Sequence, residues 1–232
     1  SAKDKFLSPA ELMEQGKDSY PAQVAGKVYE LYQRRLQESG AVDFDDIILL
    51  TVRLFQQVPD VLEKYRNRYR YIMVDEYQDT NHAQYLLVSL LAGGHKNICV
   101  VGDDDQSIYK FRGATIENIM SFESQFTGAK VIRLEQNYRC TGKILDAANG
   151  VIANNLQRKG KTLWTKNPTG DNIQFYNALD EGQEAAFIAS TIQGDVKDGM
   201  KYADHAILYR MNAQSQTLEQ TFIRFGIPYR VI

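Results

Sequence analysis

The spacing of apolar positions changes character along this chain. From residue 1 to about 41, Val24, Val28, Leu31 and Leu36 recur near helical spacing and Ser39-Gly40 supplies a stop, so the segment reads as helical. Asp43 then opens a strongly amphipathic helix with Ile47, Ile48, Thr51, Leu54, Phe55 and Val58 on one face, ended by Pro59. Beyond it, short apolar runs alternate with helical stretches. The pattern predicts a strand at 71–74, a helix from Thr80 to Ala92 closed by Gly93-Gly94, a strand at 97–101, a helix near 115–126 and a strand at 130–134. A second set starts near Asn137. It comprises a helix at 141–156, a loop from Lys166 to Asn172, a strand at 172–178, a helix at 181–193, a strand at 205–209, a helix at 213–225 and a last extended piece at 229–232. Strand–helix alternation of this kind predicts a parallel α/β sheet in two units, the second incomplete, behind a helical N-terminal segment.

Composition changes this picture little. With 44% hydrophobic and 24% charged residues the chain belongs with ordinary globular proteins. No apolar run approaches the ~20 residues that span a bilayer, and no secretory signal is present, so no membrane partner is expected. Cys99 and Cys140 have neither disulfide nor metal spacing, which fits a reducing cytoplasm; Cys99, inside a strand-like run, reads as a small core residue. The net charge of -2 leaves no broad electrostatic footprint for nucleic acid, so any such binding must rest on local groups.

Candidate chemistry sits where two apolar runs end abruptly in acids and amides. Tyr71–Val74 runs into Asp75-Glu76-Tyr77-Gln78-Asp79, and Ile98–Val101 runs into Gly102-Asp103-Asp104-Asp105-Gln106. Buried parallel strands deliver polar side chains to the carboxyl edge of a sheet in this way. Asp75 can hold Mg²⁺ through hard oxygen ligation, and Glu76 can orient or deprotonate a water that attacks a phosphate. An isolated Asp-Glu pair more commonly begins a solvated loop; Gln78, Asp79 and the second segment shift the balance. Gln106 can sense a terminal phosphate or attacking water without adding charge, or can satisfy backbone groups in a turn. Tyr109, Phe111 and Arg112 can form a base-stacking platform with a phosphate contact, the alternative being a half-buried strand. Arg139 can reach toward a γ-phosphate and Tyr138 can stack on a base; an interdomain hydrogen bond is the competing reading. Gly160-Lys161-Thr162 imitates the end of G-x-x-x-x-G-K-[ST], but Asn155 stands where the first glycine belongs and a helical pattern precedes it. Lys64, Arg66, Arg68 and Arg70 read as a solvated basic face, and His82, His95 and His205 show no ligand spacing.

Five strings together carry a family resemblance: Asp43-Phe44-Asp45-Asp46, Asp75–Asp79, Val101–Ala114, Leu134–Arg139 and Leu208–Ser215. They resemble the UvrD/Rep/PcrA-type superfamily I DNA helicases, over nearly the whole chain. The resemblance implies RecA-like parallel-sheet motor domains of the P-loop NTPase helicase type. Residues 1–41 would be the helical end of an insertion in the first motor domain, 42–137 its second half, and 138–232 the start of the second motor domain. It implies ATP and Mg²⁺ as cofactors, with Asp75 on the metal, Glu76 as catalytic base, Gln106 and Arg139 on the γ-phosphate, and Tyr138 stacked on adenine. Tyr109, Phe111 and Arg112 would contact single-stranded DNA. The implied activity is 3′ to 5′ translocation and unwinding of single-stranded and partly duplex DNA, with repair or replication proteins as partners. Phe111 departs from the family's usual tryptophan. The phosphate loop and the later arginine motif are missing, so the expectation is a fragment, inactive alone and prone to self-association. A non-catalytic DNA- or protein-binding module and a helicase–nuclease subunit are the alternative readings.

Overall fold

The computed structural model describes residues 1–155 and 160–232, with Arg112 as backbone only. These form two compact units, Ser1–Gly170 and Asp171–Ile232. The first opens with helices α1 (Pro9–Gln15) and α2 (Tyr20–Glu38), within the segment expected to be helical. Helix α3 (Phe44–Gln57) starts where Asp43 signals it: the Asp43 side chain accepts from Asp46 N–H at 2.8 Å, and the Asp46 side chain accepts from Asp43 N–H at 3.3 Å. This reciprocal cap satisfies two otherwise orphaned donors.

The buried face of α3 is Asp46, Leu49, Val52 and Phe55. The expected face was set one step round: Ile47, Leu54 and Val58 are 55%, 44% and 38% exposed. The helix is apolar on two sides, so periodicity alone leaves its rotation open. A buried charge decides it. Lys3, 4% exposed, puts its ammonium 2.7 Å from Asp43 and 2.8 Å from Asp46, turning the Asp46 side of the helix inward. Gln33 donates to the same Asp46 carboxylate at 3.0 Å. Pro59 both stops α3 and occupies the first turn of a further helix, α4 (Pro59–Arg68), where its missing N–H costs nothing. In that helix Arg66 is not simply solvated: its Nε donates to the Leu90 carbonyl at 2.8 Å, tying α4 to α5 (His82–Ala92).

Strands β1 (Ile72–Val74) and β2 (Ile98–Val100) pair in parallel, joined by the crossover through α5. The register sets Ile72 beside Ile98, Met73 beside Cys99 and Val74 beside Val100. Met73 is 79% exposed and Cys99 is exposed, so the expected core cysteine lies on an uncovered sheet face. The helix expected over 115–126 is two short helices, α6 (Glu117–Met120) and α7 (Phe122–Gln125), divided at Ser121. The Ser121 hydroxyl donates to the Glu117 carbonyl, a local bond that competes with the helical ladder. A second parallel pair joins β3 (Gln136–Asn137) to β4 (Trp164–Thr165), with α8 (Gly142–Ile152) between them. Position 156 of the expected helix lies outside the described residues.

In the second unit α9 (Glu181–Lys197) packs on α10 (Ser215–Phe225) around Ala189, Ile192, Phe222 and Ile227. Gly226 ends α10 at φ 67°, the left-handed cap that favours glycine. The segments 130–134, 172–178, 205–209 and 229–232, expected as strands, form no ladder among the described residues. A strand needs a neighbour on which to bond, and Leu134, Phe175 and Leu208 stand 76%, 92% and 95% exposed with no sheet beside them. The structure thus supports a helix-rich α/β fold with small parallel sheets. No described helix is long and apolar enough to cross a membrane.

The Lys3 cluster makes a stability prediction. Burial pushes the Asp43 carboxyl upward, but hydrogen bonds from Lys3 and Asp46 N–H outweigh it and hold the pKa below the ordinary carboxylate value. A depressed folded-state pKa stabilises the fold above the unfolded value of ~3.9, and that contribution is lost as pH falls through the folded value. Lys3→Met, which strands Asp46, should cost ~3 kcal/mol in urea unfolding at neutral pH. It should also flatten the acid loss of stability below about pH 4.

Candidate active site

The parallel register brings the two polar segments to one edge. Val101 N–H donates to the Val74 carbonyl at 2.8 Å, and Tyr77 N–H donates to the Val101 carbonyl at 2.9 Å, so the pairing continues past both strands into the loops. The chain must turn sharply there, and Glu76 takes the turn in the left-handed region at φ 49°, ψ 41°. Such a conformation is uncommon for a residue with a Cβ and costs of order 1–3 kcal/mol, which the surroundings must hold in place. Two features do so. The Asp75 carboxylate accepts from Glu76 N–H at 2.9 Å, and a 3-10 turn at Tyr77–Asp79 follows with Tyr77 and Gln78 buried. The Tyr77 ring meets Phe122 edge-on, centroids 5.7 Å apart. Burial pushes the Tyr77 phenol up to about 12.

Gln78 links this turn to the second loop. Its Nε2 donates to Glu76 Oε2 at 2.8 Å, and its Oε1 accepts from Asp103 N–H at 2.9 Å. Gly102 makes the approach possible: a Cβ there would lie 2.6 Å from Gln78 Oε1 and 2.8 Å from Ile119 Cδ1. Within the loop, Asp103 caps the 3-10 turn Asp104–Gln106, and Gln106 Nε2 donates to Asp103 Oδ2 at 2.7 Å. The far end of the loop is anchored as well. Thr115 N–H and the Asn118 amide both donate to the Thr80 carbonyl at 3.1 Å.

Lys161 places its ammonium among Asp103, Asp104 and Asp105, bonded to the first and 3.6 and 3.7 Å from the others. Burial raises the Asp103 carboxyl, but the bonds from Lys161 and Gln106 overcome it and the pKa is lowered. The Asp79 carboxyl moves the other way, pushed up by burial and by the nearby Glu76 charge.

The structure therefore brings Asp75, Glu76 and Gln106 into one connected loop pair. Tyr109 and Phe111 follow, 38% and 73% exposed, with ring centroids 5.8 Å apart. The side chain of Arg112 lies outside the described set. Tyr138 and Arg139 are exposed at the end of β3, their backbone held by Asn137 and Asn167 side chains. Among the described residues no hydrogen bond or ion pair joins Arg139 to Glu76 or Gln106. Sequence reasoning missed two participants. In the sequence Gln78 reads only as company for the acids, and nothing local marks it as buried. Lys161 reads in the sequence only as part of the false phosphate loop, and its partners 56 to 58 residues away leave no spacing signal.

Two family descriptions fit the chain. The description "UvrD/REP helicase N-terminal domain" fits residues 1–127 and "UvrD-like helicase C-terminal domain" fits residues 132–232, and the chain belongs to this helicase family. It is similar to the ATP-dependent DNA helicase PcrA of Staphylococcus aureus strain Mu50, 52% identical over 230 residues. It is also similar to the protein of that name in Staphylococcus epidermidis strain ATCC 12228, at 51% identity. Each match covers 99% of this chain and 31% of the relative, so the chain spans about a third of the length of these proteins.

Gly102→Ala should force Gln78 or Ile119 aside and destabilise the first unit by ~1–3 kcal/mol, read from urea unfolding.

Proposed function

We propose that this chain is the central part of an ATP-dependent DNA helicase that moves 3′ to 5′ on single-stranded DNA and opens duplexes. The observation that carries the reading is the loop pair at the carboxyl edge of β1 and β2, with Glu76 held in a left-handed turn and wired through Gln78 and Asp103 to Gln106. On this reading residues 42–137 are the second half of a first RecA-like motor domain, 138–232 begin a second, and 1–41 end a helical insertion.

The exposed Asp75 carboxylate is a hard oxygen ligand of the kind Mg²⁺ takes, and it fits that ion. When bound, Mg²⁺ would neutralise charge on the nucleotide phosphates. Glu76 takes the proton of the attacking water. Gln106 lies exposed at the tip of its turn, where its amide can exchange Asp103 for a phosphate oxygen or that water. Arg139 supplies positive charge to the γ-phosphate, and Tyr138, 78% exposed, offers its face to adenine. Tyr109, Phe111 and Arg112 form the single-strand platform, so that one loop touches phosphate at its start and DNA at its end. Such a loop is a short mechanical path from hydrolysis to translocation. ATP, Mg²⁺ and DNA are thus the ligands of the whole protein, with repair or replication its setting. Residues 1–232 by themselves, which contain no G-x-x-x-x-G-K-[ST] string, would not turn over ATP.

In the full-length protein Glu76→Gln should leave nucleotide binding near normal and reduce ATP turnover ~100-fold or more; retention of over about a tenth of the rate removes Glu76 from the base role. Phe111→Ala should weaken single-strand binding by ~1–3 kcal/mol in a fluorescence titration. An unchanged affinity there would take the ring out of the DNA platform.

A further inference from the structure

Gln78 is 1% exposed, and its amide has a partner for each polarity. Nε2 donates to Glu76 Oε2 at 2.8 Å and lies 3.4 Å from Asp79 Oδ2, while Oε1 accepts from Asp103 N–H at 2.9 Å. The Gln78 carbonyl accepts from the Ser107 hydroxyl at 3.4 Å. Turning the amide over would set its NH₂ against a backbone N–H and its oxygen against two carboxylates. The surroundings therefore fix which way it faces. The Gln78 amide thus holds the Glu76 carboxylate from a buried position.

We propose that Gln78 is a positioning residue: its amide fixes the direction of the Glu76 carboxylate and ties that direction to the loop bearing Gln106. The inference rests on the reading of Glu76 as the base. A glutamate at an exposed turn has three side-chain torsions to settle. A base that wanders by an ångström loses much of its advantage, so a buried donor that pins one carboxylate oxygen is worth rate rather than binding. The same amide receives the Asp103 N–H, and Asp103 receives the Gln106 amide. A displacement of Gln106 is thereby passed to Glu76 through three hydrogen bonds. The space for this wiring comes from Gly102, which leaves Gln78 Oε1 room that a Cβ would fill.

The test uses the full-length protein, measuring DNA-stimulated ATP turnover, KM for ATP and melting temperature. Gln78→Glu keeps the length of the side chain and the acceptor facing Asp103 N–H, but puts an oxygen where the donor to Glu76 was and adds a negative charge beside Glu76 and Asp79. Gln78→Leu deletes both. The expected result is a fall in kcat of about tenfold or more in both variants, with KM within about threefold of wild type. A Gln78→Glu protein within about twofold of the wild-type kcat overturns the proposal, because the amide then serves only the loop. Loss of nucleotide affinity in step with kcat in both variants also overturns it, since that marks a general structural role. Glu76→Gln in the same assay separates the two levels. If it stays active, the base reading has failed; if it is inactive while Gln78→Glu is normal, the positioning role alone has failed.

Discussion

Everything at the candidate site hangs on the parallel pairing of β1 with β2. Parallel neighbours point the same way, so both strands end at one edge and both loops leave from it. Three paired positions are enough because the pairing does not stop there: Val101 bonds back to Val74, and Tyr77 bonds back to Val101. An antiparallel partner would have put the Glu76 turn and the Gln106 loop at opposite ends of the sheet. The left-handed backbone at Glu76 then aims its carboxylate at Gln78, and the missing Cβ of Gly102 lets the loops close on one another.

Charge is managed by lysines brought from afar. Lys3 reaches the start of α3, and Lys161 reaches the aspartates after β2, each balancing more than one carboxylate. Neither pairing can be found from local spacing. Both sit where an uncompensated group of acids would otherwise repel itself in a half-buried position. The N-terminal segment that brings Lys3 also presents Asp4 to the Asn81 amide at 2.9 Å, so the start of α5 is held by the same residues.

Much of the framework was legible because element ends carry local chemistry. Asp43 opens α3, Pro59 stops it and Gly93 closes α5, each by chemistry adjacent in sequence. What was illegible depended on distant partners. The rotation of α3 follows Lys3, the exposure of Cys99 follows an uncovered face, and the break at Ser121 follows one hydroxyl. The apolar runs at 130–134 and 205–209 have strand composition without a ladder beside them. The site divides along the same line. Asp75, Glu76 and Gln106 stood out because a strand end full of acids and amides is a local pattern. The Gln78 bridge spans 25 residues and emerges only from the fold.

The crossover through α5 also makes this pairing a non-local contact. A hairpin can zip from its turn, but β1 meets β2 only when the connection carrying α5 crosses back over the sheet. The entropy of closing that loop is spent before any ladder bond rewards it. The Gln78 bridge in turn needs both strand ends in register. The geometry around Glu76 therefore depends on that register being complete.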